Sequence, residues 1–86
     1  MPHYQLEISH TERECLDALD MIVSLGMGIL HHSWWGCGAG VHTGWLDIEV
    51  DSEQDALGVI PPPIRNQVRV VEVQRFTPNQ VKALHQ

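Results

Sequence analysis

Residues 3–23 read HYQLEISHTERECLDALDMIV, and within them the apolar period changes once. Over His3 to Ser9, Tyr4, Leu6 and Ile8 alternate with His3, Gln5 and Glu7, the period of a strand with one buried face. From Cys15 onward the apolar residues Cys15, Leu16, Leu19, Ile22 and Val23 recur at spacings of three and four, which makes one stripe of a helix. Thr11-Glu12-Arg13-Glu14 stands between the two as a T-x-x-E capping box, in which each end satisfies a backbone amide of the other. Gly26 then supplies a residue able to take the left-handed conformation that stops a helix. The chain therefore opens strand, then helix.

Working outward, residues 27–35 are expected to form a second strand and residues 42–50 a third, where Leu46, Ile48 and Val50 alternate with Trp45, Asp47 and Glu49. Gly36-Cys37-Gly38-Ala39-Gly40 reads as the hairpin loop between them, pairing residue 35 with 42. Ser52-Glu53-Gln54-Asp55 caps a second helix through Ala56, Leu57 and Ile60, and Pro61, Pro62 and Pro63 end it. VRVVEVQRF, residues 68–76, supplies a fourth strand. Thr77-Pro78-Asn79-Gln80 is a second capping box with proline at the first helical position, opening a short C-terminal helix through Val81 and Leu84. The order β-α-β-β-α-β plus a terminal helix belongs to the α+β class. It is the ferredoxin-like split βαβ arrangement, with one antiparallel sheet and helices on one face.

Eighty-six residues make a single domain, 1–86, with 43% hydrophobic and 19% charged residues, a globular balance. The formal charge is −6, and Arg65, Arg69 and Arg75 are dispersed rather than gathered into a basic stripe, which argues against nucleic acid as a partner. No apolar run has the length of a membrane span. Two cysteines make no disulfide framework, and MPHYQLEISH lacks the basic and apolar regions of a signal peptide. The expected setting is soluble, reducing and cytoplasmic. A chain this short buries limited apolar surface, so self-association would supplement it.

The topology, the size and an aromatic sheet face left uncovered by helices together resemble the dimeric α/β-barrel superfamily. WGCGAGVHTGW and IPPPIRNQVRVVEVQRFTPNQV are also similar to segments of small uncharacterised bacterial proteins with this fold. The resemblance implies a homodimer packed sheet to sheet. It implies no particular activity, because that superfamily spans isomerases, cofactor-free monooxygenases, haem enzymes and metal-binding proteins.

Chemistry concentrates in residues 30–45, LHHSWWGCGAGVHTGW, which hold three of six histidines, one of two cysteines and all three tryptophans. Cys37 and His42, in Cys-x4-His spacing across the turn, form a soft S/N pair suited to copper or zinc, with His31 as a third donor. His3 and His10 are further candidates near strand one. Zinc sites normally show a second paired half, C-x2-C or H-x3-H, and the hairpin offers none. The leading expectation is thus a small homodimeric protein that binds copper or zinc through Cys37, His42 and His31. The same Cys37–His42 pair could instead serve as a thiolate with a neighbouring base, although no third group or oxyanion hole accompanies it. An alternative places a ligand pocket of isomerase or monooxygenase type on the opposite face, lined by His32, Trp34, Trp45 and Asp47, with His32 oriented by Asp47 or Glu49. A third possibility is a non-catalytic interaction module whose tryptophans make a dimer. Cys15, on the helix stripe, reads as an inert core thiol.

Overall fold

Alternation at the N-terminus sets the sheet. β1 spans His3–Ser9 and lies at the centre, antiparallel to β3 (Thr43–Glu49) on one side and to β4 (Val68–Val73) on the other. β2, Ser33–Trp35, pairs antiparallel with β3 at one edge, so the strand order is β2-β3-β1-β4. The computed structural model describes residues 1–26, 28–29 and 32–85, and the expectation for His31 lies outside the described residues. This α+β architecture, a four-stranded antiparallel sheet with a few helices, is consistent with the ferredoxin-like type.

The capping box forms as read. Thr11 N donates to Glu14 Oε1 at 2.9 Å and Glu14 N to Thr11 Oγ1 at 3.3 Å. It opens a 3-10 turn, Glu12–Glu14, that continues into α1, Cys15–Val23. Gly26 follows with φ +115°. α2 is Glu53–Gly58, capped by the Ser52 hydroxyl, which accepts from Asp55 N at 3.1 Å. The Arg65 guanidinium returns to the carbonyls of Ile60 at 2.7 Å and Gly58 at 3.3 Å, satisfying acceptors freed where α2 stops. α3, Pro78–Leu84, carries the second capping box, and its residues are exposed.

The core lies between the sheet and the helices. Tyr4, Leu6, Ile8 and Leu46 from the strands meet Ile22 of α1, Ala56 of α2, and Ile60 and Ile64 from the connection to β4. Trp35, Ile48, Val68 and Val70 pack around them. The side chains of Trp34, Trp45, Asp47 and Glu49 alternate with that face and take the other one, where Trp34 stands directly opposite Trp45.

Four expectations need correction. The second strand begins at Ser33, because Gly28 and Ile29 are helical and Ile29 N and His32 N donate to Gly26 O and Ile29 O. Trp35 pairs with Gly44 rather than with residue 42, since the loop closes through Gly36 N to Thr43 O and holds a 3-10 turn at Cys37–Ala39. That shift of two residues keeps every side chain on its expected face. β4 stops at Val73, opposite His3, because β1 offers no partner beyond its first residue. On α1 the buried residues are Ala18 and Ile22, whereas Leu16 is 68% and Val23 43% exposed. The packed stripe is thus rotated from the one that hydrophobicity alone suggests.

Candidate metal centre

The β1–β3 ladder carries on past its last paired residues. His10 N donates to His42 O at 3.1 Å, so the two histidines leave the end of the sheet side by side, on the core side of their strands. Five residues after His10, the capped turn delivers Cys15 as the first residue of α1. The loop after β2 delivers Cys37 at the start of its 3-10 turn. Three separate pieces of local structure thus converge on one point. His10, Cys15, Cys37 and His42 each offer one ligand atom there, and these atoms all lie within 4.8 Å of one another.

His10 is 9% exposed, and the two cysteines are half-buried and free. His10 Nε2 and Cys37 Sγ form a hydrogen bond at 3.1 Å. The imidazole rings of His10 and His42 meet edge to face with centroids 5.8 Å apart. Trp35 closes one wall, its ring centroid 5.7 Å from that of His10 and its indole nitrogen donating to Ser33 Oγ at 2.9 Å. The Trp35 ring is seated over Gly44, where a Cβ would come within 2.7 Å of it. The hydrogen bond with Cys37, burial and the Cys37 charge push the Cys15 thiol above its ordinary pKa.

Nδ1 of His10 and Nδ1 of His42 are buried with no hydrogen-bond partner among the described residues. A buried, unpaired imidazole nitrogen is costly unless something satisfies it, and a metal ion would be such a partner for His42, whereas in His10 the nitrogen that faces Cys37 is Nε2. Two thiols and two imidazoles are the donor set of a Cys2His2 zinc site. Ligands at 2.0–2.3 Å from a tetrahedral zinc stand about 3.3–3.8 Å apart, so a cluster spanning 4.8 Å has to contract by about 1 Å.

Of the residues expected to bind metal, Cys37 and His42 are in this cluster, and His31 lies outside the described residues. The second half of the site comes from His10 and Cys15. Cys15, expected to be an inert core thiol, stands half-buried at the start of α1, within the cluster that also holds Cys37. A sequence signal for it exists. His10-x4-Cys15 mirrors Cys37-x4-His42, and the two halves face one another in space. His3 is elsewhere, with Nδ1 3.7 Å from Glu49 Oε1.

Of the residues expected to line a ligand pocket, Trp34, Trp45 and Asp47 lie on the sheet face away from the core. Trp34 is 63% exposed, His32 lies exposed in the turn before β2, and no hydrogen bond or ion pair joins His32 to Asp47 or Glu49 among the described residues. Asp47 instead lines an open groove of about 270 Å³ with His3, Gln5, Val73, Gln74 and Arg75, toward the opposite end of that face. Among the described residues, no helix is long and apolar enough to cross a membrane. Comparison with protein-family models, with curated proteins and with solved structures finds no match to this chain.

Proposed function

We propose that this chain is a small cytoplasmic metal-binding protein whose His10, Cys15, Cys37 and His42 hold one zinc ion. The observation that carries the reading is the convergence of four soft donors within 4.8 Å, at the meeting of a strand end, a helix start and a hairpin loop. Zinc is preferred over copper because four protein ligands of this kind close a tetrahedron, the geometry of structural zinc, and leave no position for substrate. In that role the ion supplies a cross-link, tying the β2–β3 hairpin to the start of α1, rather than a reactive water.

The test is elemental analysis with native mass spectrometry on untagged protein, alone and after reconstitution with zinc. One zinc per chain is expected, and Cys15→Ser, Cys37→Ser, His10→Ala and His42→Ala should each lose it. His31→Ala should keep it. A chain that takes up no zinc, or a Cys15→Ser variant that binds it stoichiometrically, rejects the site.

The same reading includes a homodimer of the dimeric α/β-barrel type, packed through the face that carries Trp34, Trp45, Val71 and Val73. Its support is the 63% exposure of Trp34 on a sheet face whose other large residues lie beside it. Trp34→Asp should convert the dimer to a monomer by light scattering, and an unchanged mass would reject that interface. A second reading, a small polar ligand in the groove between His3, Asp47 and Arg75, is favoured by the mixed charge of its lining. Arg75→Ala should then remove a ligand-induced rise in melting temperature that Cys37→Ser leaves intact.

A further inference from the structure

Cys15 and Cys37 are twenty-two positions apart in sequence, and both are free. Their sulfurs lie within 4.8 Å of one another. A disulfide needs its sulfurs at about 2.05 Å, and this pair, within 4.8 Å, is already close enough for side-chain rotation and a small shift to join it. Cys37 sits on an open turn. It is only half-buried, and the residues that follow it, Gly38, Ala39 and Gly40, are exposed, so this end of the cluster lies at the surface where a small oxidant can arrive. We propose that Cys15 and Cys37 are also a peroxide-reactive pair, whose disulfide releases the metal. The release half of this rests on the zinc reading, because it concerns the same two sulfurs.

The chemistry balances with a hydroperoxide as oxidant. The Cys37 sulfur bonds to the terminal peroxide oxygen, the O–O bond breaks, and the departing alkoxide takes the thiol proton, leaving a sulfenic acid and an alcohol. The Cys15 sulfur then attacks the Cys37 sulfur, the S–O bond breaks, and hydroxide leaves with the Cys15 proton as water. Two thiols lose two electrons, and the peroxide gains them. From the zinc-bound form, where both sulfurs are thiolates, the same change consumes two protons from solvent and frees a zinc dication. Half of the ligand set is then lost, since a disulfide sulfur is a far poorer donor than a thiolate. The disulfide then joins the hairpin to the start of α1 in place of the metal.

The experiment adds equimolar hydrogen peroxide to the full chain, zinc-free and zinc-loaded, and follows intact mass, disulfide-linked peptides and zinc captured by a chromogenic chelator. Expected are a mass lower by two hydrogens in both forms, a peptide linking Cys15 to Cys37, and one zinc released per disulfide formed. A phosphine reductant should restore both thiols and zinc uptake. The linked peptide is read on the wild-type chain, so the result does not depend on a variant folding. Cys15→Ser should abolish the two-hydrogen loss. The proposal is overturned if the thiols persist, if oxygen atoms are added with no link, if the links run between chains, or if the disulfide forms and zinc stays. Failure of the reduced chain to bind zinc overturns the metal reading and the release step, while disulfide formation is still decided on the zinc-free sample.

Discussion

Gly44→Ala puts the packing around the site to a direct test. Gly44 is buried in β3 opposite Trp35, and an added Cβ would stand 2.7, 2.8 and 2.9 Å from three carbons of the indole ring. Carbon atoms rest at about 3.5–4.0 Å, so the ring has to retreat by roughly 0.8 Å or more. It has little freedom to do so, because its nitrogen is bonded to Ser33 and the His10 ring packs beside it. Forcing an extra methyl into such a contact costs about 1–3 kcal/mol. Replacing a strand glycine recovers roughly 0.5–1 kcal/mol of backbone entropy. The midpoints of these ranges leave a net loss of about 1 kcal/mol, which in a domain of this size lowers the melting temperature by roughly 4–8 °C. Thermal melts of the metal-free protein by circular dichroism measure it, and zinc competition with a chelator should show weaker binding as His10 shifts with Trp35. Gly38→Ala, whose Cβ enters open space, is the control. A Gly44→Ala melt indistinguishable from wild type, or one matched by Gly38→Ala, refutes the packing argument.

Leu6→Ala, at a fully buried position facing Leu46 and Val70, should cost about 2–5 kcal/mol in denaturant unfolding. Leu16→Lys, at a helix position 68% exposed, should stay within about 0.5 kcal/mol by the same assay, separating the observed stripe of α1 from the hydrophobic one. Thr11→Ala removes the capping hydroxyl and should cost about 1 kcal/mol, with Thr11→Ser close to wild type. Zinc retention on dialysis should fall as pH drops from about 7.5 to about 5, because protons compete for both imidazoles and both thiolates. Unchanged zinc content over that range would count against histidine and thiolate ligation.

Where neighbours in sequence decide the outcome, the elements were legible. β1 occupies the residues that alternation marks, and both capping boxes and the Ser52 cap form as spelled out. Errors arise where distant partners decide. β4 ends where β1 runs out, at the His3–Val73 pair, although Gln74, Arg75 and Phe76 carry no local stop. The face of α1 that packs is set by where the sheet lies, so Ala18 is buried and the larger Leu16 is not. In the site, Cys37 and His42 were visible as a crowded hairpin. Cys15 was hidden by its place in a plausible apolar stripe, and His10, standing alone after a strand, read only as a further candidate.

One geometric fact links all four candidate ligands. The register that sets Leu6 against Leu46 and Ser9 against Thr43 sets residue 10 against 42, and past the ladder the capped turn and the hairpin loop carry residues 15 and 37 back to the same place. An antiparallel pair reverses order, so a His-x4-Cys segment opposite a Cys-x4-His segment brings imidazole to imidazole and thiol to thiol. Both pairs are close, the two imidazoles with centroids 5.8 Å apart and the two sulfurs within 4.8 Å. The capped turn and the glycine-flanked loop bend the two continuations toward the core side, which adds the crossed contact of His10 with Cys37 at 3.1 Å. A slip of one residue between β1 and β3 would turn His42 away from His10 and expose Leu46. The hydrophobic alternation that buries Leu6, Ile8 and Leu46 therefore also sets His10 beside His42, and this half of the site depends on the core for its geometry.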